Sequence, residues 1–173
     1  MSTLFVTGMT AALLSAGAAL ARWWSSQTEI QPLDISPDDP LMVEAMAEAR
    51  RSLDRLRELA PRRPGAAHVK VRFAADSGDT EFLWAELREL HEHDMEVFLV
   101  NLPATHSEKL ERLRTVPLDD LADWQVELED GRFEGGGTMR VLFLRAREQW
   151  GELPPEMVDL ERRYSASSSA PTT

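Results

Sequence analysis

The sequence changes its hydrophobic period near residue 65, and this change limits the folds that the chain can adopt. Before that point, apolar residues recur at alternating steps of four and three, which places them on one face of an α-helix. These residues are Met42, Met46, Ala49, Leu53, Leu56 and Ala60. Asp39 and Pro40 come just before them, as a helix cap and a first-turn proline. We therefore predict one long amphipathic helix that begins at Pro40 and ends at Pro61.

After Gly65 the hydrophobic period is two. Val69, Val71 and Phe73 alternate with polar side chains, which is typical of a half-buried strand. Further strands are predicted over residues 82–90, 95–102, 124–128, 132–135 and 138–145, with a short edge strand over 116–118. Because turns rather than crossover helices connect these strands, the sheet should be antiparallel. The predicted fold class is α+β: the N-terminal amphipathic helix packed on a curled antiparallel sheet of five or six strands, preceded by an apolar N-terminal helix.

That apolar helix is predicted from a run without charged side chains over residues 4–21, followed by Arg22, Trp23 and Trp24. At a rise of 1.5 Å per residue the run gives about 27 Å of helix, which just spans a hydrocarbon core. We therefore predict that residues 1–24 are a membrane anchor. The main alternative is a signal peptide cleaved after Ala21, although the basic residues that normally begin such a segment are missing. A buried or disordered tail is the third interpretation.

The anchor prediction divides the chain into four parts. Residues 25–39 are polar and proline-containing, as in a linker, residues 40–164 form the folded domain, and residues 165–173 are a disordered tail. Arg22, the one charge beside the apolar run, favours a cytoplasmic domain by the positive-inside rule. Cleavage would instead give a periplasmic or secreted protein.

Charge and cysteine content exclude several classes of function. The chain has 19 Lys and Arg residues against 30 Asp and Glu residues, a net charge of −11, so it lacks the basic surface that nucleic acid needs. It has no Cys, which excludes disulfides, thiolate metal sites and a cysteine nucleophile. We predict no nucleic acid partner and no cofactor.

Three groups of residues have the composition of a functional site. His91 and His93 share one face of a strand and are weak candidates for zinc ligands, although a solvated turn explains them as well. The acidic group Asp119, Asp120 and Asp123 lacks the spacing of a calcium-binding EF-hand, so turn or cap carboxylates are the better interpretation.

The third group is the glycine run at residues 135–137, followed by Thr138. Glycine-rich turns bind phosphate when a helix and a Lys-Ser or Lys-Thr pair follow. Here no such pair follows and we predict no helix, so the run is interpreted as hairpin geometry. No G-x-S-x-G motif is present either, and nothing in the sequence favours an enzyme.

From Asp39 to Arg145 the chain resembles a known family through an ordered series of short blocks. These are Asp39-Pro40-Leu41-Met42, Val69-Lys70-Val71-Arg72-Phe73, Glu81-Phe82-Leu83-Trp84, Asn101-Leu102-Pro103, Leu121-Ala122-Asp123-Trp124, Asp130-Gly131 and Gly135-Gly136-Gly137-Thr138-Met139-Arg140. They resemble the bacterial YegJ-like proteins, catalogued as domain of unknown function 2314. Two positions depart from that family: Arg114-Thr115 replaces a glycine-acid pair, and Gly137 replaces an aromatic residue.

The resemblance implies a small α+β domain of bacterial origin, without an established reaction or ligand. It selects seven candidate interaction residues: Trp84, Asp123, Trp124, Gly135, Gly136, Thr138 and Arg140. From their residue types we expect the tryptophans to pack the helix on the sheet and Asp123 to cap the backbone at that corner. The predicted function is a membrane-anchored, non-catalytic binding module for a protein or small ligand. The alternatives are a metal-dependent enzyme that uses His91 and His93, and a structural envelope-associated protein.

Overall fold

The computed structural model describes residues 33, 35, 36, 38–74, 80–100 and 111–165. The predicted anchor at residues 1–24 and all but the first residue of the predicted tail lie outside these ranges. Within the described part of the chain, no helix is both long and apolar enough to cross a membrane.

Six strands form one open antiparallel sheet, as the alternating sequence pattern predicts. They are β1 (Ala67–Ala74), β2 (Thr80–Leu90), β3 (Asp94–Leu99), β4 (Leu113–Pro117), β5 (Leu121–Glu127) and β6 (Phe133–Gly135). Their order across the sheet is β4-β3-β2-β1-β5-β6. The proline-containing strand β4 lies at an edge, as predicted, because proline lacks the N–H that a central strand needs. The α+β class is confirmed.

In the described ranges, four α-helices accompany the sheet: α1 (Pro40–Arg51), α2 (Leu53–Leu59), α3 (Gly137–Trp150) and α4 (Pro155–Ser165). The predicted start of α1 is confirmed, since the Asp39 carboxylate accepts hydrogen bonds from the backbone N–H groups of Leu41 and Met42. Two short 3₁₀ turns, Ala60–Arg62 and Leu118–Asp120, follow α2 and β4.

The single long helix predicted over residues 40–60 is interrupted at Ser52. The Ser52 hydroxyl donates hydrogen bonds to the carbonyls of Glu48 and Ala49, and the Trp124 indole also donates to Ala49. Side chains that bond to helix carbonyls compete with the regular backbone pattern and bend or break a helix. The break thus coincides with a local bond from Ser52 and a contact from Trp124 on β5.

The strand predicted over residues 138–145 is wrong, because these residues belong to α3. The buried residues of this helix are Thr138, Met139, Val141, Leu142, Phe143 and Ala146, which is a helical rather than an alternating pattern. The same finding corrects the prediction that no helix begins after the glycine run.

The core consists of two clusters. One packs Ala49, Leu56 and Leu59 from the first two helices against the sheet residues Val69 and Val97. The other combines Met42, Phe143 and Tyr164 with Phe133 of β6. Asp123 of β5 bonds to α3, whereas its neighbour Trp124 bonds to α1. Because successive side chains of a strand point to opposite faces, helices cover both faces of the sheet at this end.

Candidate functional site

The residues selected from the sequence meet where β5 passes under the first turn of α3. We call this place the β5–α3 corner and define it as Asp123, Trp124, Gly135, Gly136 and Thr138. Asp123 and Thr138 are 1% and 2% exposed, so the centre of the corner is closed to solvent.

Asp123 caps α3 from the neighbouring strand. Its carboxylate accepts the backbone N–H of Thr138 at 2.7 Å and that of Gly137 at 3.2 Å. It also accepts the Thr138 hydroxyl at 2.7 Å and the N–H of Trp124 at 2.8 Å. Free N–H groups at a helix N-terminus attract an anion. Here that anion is the protein's own carboxylate, which occupies the place that a bound phosphate takes in glycine-rich loops. The expectation that Asp123 caps the backbone is confirmed.

Two glycines of the corner are required by their surroundings. Gly135 has a φ of +85°, and a Cβ there would lie 2.2 Å from the Trp124 carbonyl oxygen. Gly136 has a φ of +68°, and its Cβ would lie 2.4 Å from the Tyr164 ring. Side chains are disfavoured by such backbone angles and excluded by such distances. The glycine run therefore sets up the start of α3 rather than a hairpin.

Lys70 extends the corner toward the centre of the sheet. On β1 it lies between Asp123 of β5 and Trp84 of β2, its partners in the two strand pairings. Its ammonium group donates to the Thr138 hydroxyl at 3.4 Å, and that hydroxyl donates in turn to Asp123. Lysine, threonine and aspartate thus form one chain of polar contacts beneath α3.

Burial has the largest effect on the pKa values of Lys70 and Asp123. Desolvation lowers the pKa of the Lys70 amine, while the nearby charge of Asp123 acts in the opposite direction. Desolvation likewise raises the pKa of the Asp123 carboxyl, against the hydrogen bonds from Thr138 and Trp124 and the charge of Lys70. Each group therefore favours the charged form of the other, and for Asp123 the hydrogen bonds from Thr138 act in the same direction more strongly.

Trp124 joins the sheet to the N-terminal helices, as its residue type predicts. Its indole N–H lies 3.1 Å from both the Ala49 carbonyl and the Ser52 hydroxyl. Trp84 is half-buried and packs against the cluster that contains α3 and α4. Arg140 is exposed on α3, and its guanidinium donates to the Gly135 carbonyl. The structure thus brings together all seven selected residues around one corner, with Trp84 at its margin.

His91 and His93 both lie in the connection between β2 and β3, so the prediction that they share one face of a strand is wrong. His91 is 3.7 Å from Glu89, and His93 is 3.7 Å from Glu92. Among the residues that the structure describes, no group of three or more His, Cys, Asp or Glu side chains is placed to hold a metal ion.

The acidic group predicted to make turns or caps is divided between two places. Asp120 accepts two hydrogen bonds from the Arg72 guanidinium, at 2.9 and 3.2 Å. Asp123 turns to the other side and caps α3.

Sequence reasoning missed Lys70, because its position on an alternating strand is typical of a solvent-facing side chain. The helix that covers it was itself not predicted.

The fold and the corner together define a small α+β protein with a closed polar centre. Comparison of the chain with protein-family models, with curated proteins and with solved structures finds no match. The resemblance to the YegJ-like family therefore stays a prediction.

Proposed function

We propose that this protein is a non-catalytic binding module, held at a membrane by residues 4–24 and related to the YegJ-like proteins. The observation that carries the proposal is the closed state of the β5–α3 corner. Asp123, Trp124 and Thr138 are each no more than 3% exposed, and their polar groups bond to one another or to the backbone.

A catalytic group must reach its substrate directly or through one water. The carboxylate of Asp123 already accepts four hydrogen bonds from Trp124, Gly137 and Thr138, which leaves it little capacity for another partner. The fold thus accounts for the polar groups of Asp123, Trp124 and Thr138, three of the residues that the family resemblance selects. We therefore place the function on the exposed surface of the domain, where a binding module contacts its partner.

The proposal is tested by chemical cross-linking of the tagged full-length chain in native membranes, followed by purification and mass spectrometry. A binding module should retain one partner reproducibly and in stoichiometric amount. Metal analysis of the same preparation distinguishes the binding module from the main alternative, the metal-dependent enzyme. Stoichiometric zinc that is lost in His91→Ala, but kept in a control such as His68→Gln, would contradict the proposal.

A further inference from the structure

A groove opens where the end of α2 meets the start of β1 and the end of β2. Its volume is about 660 Å³, within the range of roughly 300–1,000 Å³ that is common for ligand clefts. Its apolar lining consists of Ala60, Ala67, Leu87 and Leu90, with Pro61 and Pro64 along one side. The groove is distinct from the β5–α3 corner, because no residue of that corner lines it.

Basic side chains outnumber acidic ones in this lining. Arg57, Arg63 and Arg88 line the groove together with His91, against Glu86 and Glu89. The whole chain has the opposite balance, with 30 acidic residues against 19 basic ones. A local excess of guanidinium groups on an acidic protein favours an anionic ligand. We call this feature the arginine groove.

Two of the arginines have partners that a ligand could replace. Arg57 lies 3.0 Å from Asp54, and Arg63 lies 3.6 Å from Glu129. Both carboxylates are more than nine-tenths exposed, and ion pairs of that kind contribute little to stability. Arg63 also donates from its Nε to the Glu127 carbonyl at 3.0 Å, which holds its guanidinium in place.

The third arginine is also positioned by its surroundings. The guanidinium of Arg88 lies over the Phe98 ring, 5.3 Å from its centre, and 3.0 Å from the Glu86 carboxylate. Of the carboxylates that contact Arg57, Arg63 and Arg88, only that of Glu86 lines the groove, and its pairing with Arg88 shows a carboxylate bound to a guanidinium there. A phosphate dianion is disfavoured, because Glu86 and Glu89 would repel it more strongly than a carboxylate.

We propose that the arginine groove binds an acidic peptide segment of a partner protein. The carboxylates of the segment pair with Arg57 and Arg63, and its apolar side chains lie on the floor formed by Leu87 and Leu90. An apolar floor edged by cations suits a peptide in which acidic and apolar residues alternate. This inference rests on the proposed binding function and assigns it a site and a ligand class.

The test uses the full-length chain in mild detergent and a short fluorescein-labelled peptide of alternating leucine and glutamate. Fluorescence anisotropy measures its affinity for the wild type, for Arg57→Gln/Arg63→Gln, for Arg57→Glu, and for the control Arg51→Gln. Arg51 is an exposed arginine of α1 that pairs with Glu44 and Glu48. Circular dichroism verifies that each variant is folded.

We expect the wild type and Arg51→Gln to bind the peptide equally. Each groove variant should bind about tenfold more weakly or worse, since it loses charge-assisted hydrogen bonds. A matched peptide with glutamine in place of glutamate should also bind weakly. Failure of the wild type to bind, or equal binding by the groove variants, would overturn the inference.

Competition distinguishes the peptide from smaller anions. Displacement by free glutarate or inorganic phosphate at the concentration of the unlabelled peptide would overturn the peptide assignment. If the peptide binds but the groove substitutions have no effect, the binding function stands and the groove is the wrong site. The proposed binding function is contradicted only by the separate measurements, that is, by the absence of a cross-linked partner or by stoichiometric zinc that depends on His91.

Discussion

The indole N–H of Trp124 donates a hydrogen bond of 3.1 Å to the backbone carbonyl of Ala49, which lies on another element of the fold. This bond joins the central part of β5 to the end of α1, and the Ser52 hydroxyl lies at the same distance from the indole nitrogen. One side chain thus attaches the N-terminal helices to the sheet at the break between them.

Replacing Trp124 by phenylalanine should therefore lower the free energy of unfolding by about 1–3 kcal/mol, from the lost hydrogen bonds and the smaller ring. Urea denaturation followed by far-ultraviolet circular dichroism measures the change. Trp84→Phe is the matched control on the other face of the sheet, where the ring is only half-buried, and should cost less. Equal losses would contradict the joining role of Trp124.

Gly136 supplies a second prediction, because its left-handed backbone is combined with close packing. Gly136→Ala should lower the free energy of unfolding by about 3 kcal/mol, from backbone strain and overlap with the Tyr164 ring. Gly131 has a similar φ of +79° but nothing within 4 Å of its Cβ position. Gly131→Ala should therefore cost only about 1 kcal/mol, from backbone strain alone. Thermal unfolding of both variants should show this difference; similar costs would argue against the close packing.

Asp39 gives a prediction about pH. Its carboxylate pairs with Arg145 at 2.8 Å, and that hydrogen bond, assisted by the backbone N–H of Leu41, holds the pKa of Asp39 below its usual value of 3.8. A carboxyl with a lowered pKa in the folded state stabilises the protein fully above its unfolded pKa, and this contribution is lost as the pH falls further.

Asp39→Asn should therefore lower the unfolding midpoint at neutral pH, even though asparagine keeps the capping function. The difference between wild type and variant should shrink as the pH falls below about 4. Urea titrations of both proteins over a series of pH values test this. A difference that stays constant down to low pH would show that the ion pair contributes nothing.

The N-terminal prediction comes from the sequence alone, since residues 1–24 lie outside the described residues. The full-length protein should remain in the membrane fraction with its original N-terminus after an alkaline wash. N-terminal sequencing distinguishes the alternatives. A soluble product that begins at Arg22 would mean that a signal peptidase cleaves after Ala21.

The elements that were predicted correctly are those whose signals are local. Asp39 and Pro40 begin α1 through a cap and a proline that stand next to each other in the sequence. The strand alternation of Val69 and Val71 likewise needs only neighbouring residues. Local patterns of this kind determine most of the sheet and the first helix.

Helix α3 was missed because its capping group comes from elsewhere. The position that normally carries Ser, Thr, Asp or Asn is Gly136, and the capping carboxylate is that of Asp123 on β5, one strand earlier than the strand that leads into the helix. Met139, Val141 and Phe143 then imitate the alternation of a strand. The break at Ser52 does not show in the apolar spacing, because it falls at a polar residue whose hydroxyl bonds to the carbonyls of the preceding turn.

The candidate site was identified in part. Its residues were selected by resemblance, and the roles expected for Asp123 and Trp124 from their residue types are confirmed. The position of Lys70 beneath α3 does not follow from the sequence, because the apolar alternation over residues 138–145 predicts a strand there and not a helix. The arginine groove joins residues of α2, β1 and β2 that no sequence pattern relates.

The central claim is that the polar groups of the β5–α3 corner stabilise the fold. The free energy of unfolding of Asp123→Asn tests it most directly, with Asp120→Asn as the control for an aspartate that only pairs with Arg72 near the surface. We predict a loss of about 2–4 kcal/mol for Asp123→Asn, because buried N–H groups lose a charged acceptor, and less than about 1 kcal/mol for the control. Residues kept for function rather than folding commonly leave stability unchanged or raise it when replaced. An Asp123→Asn protein as stable as the wild type would contradict the account.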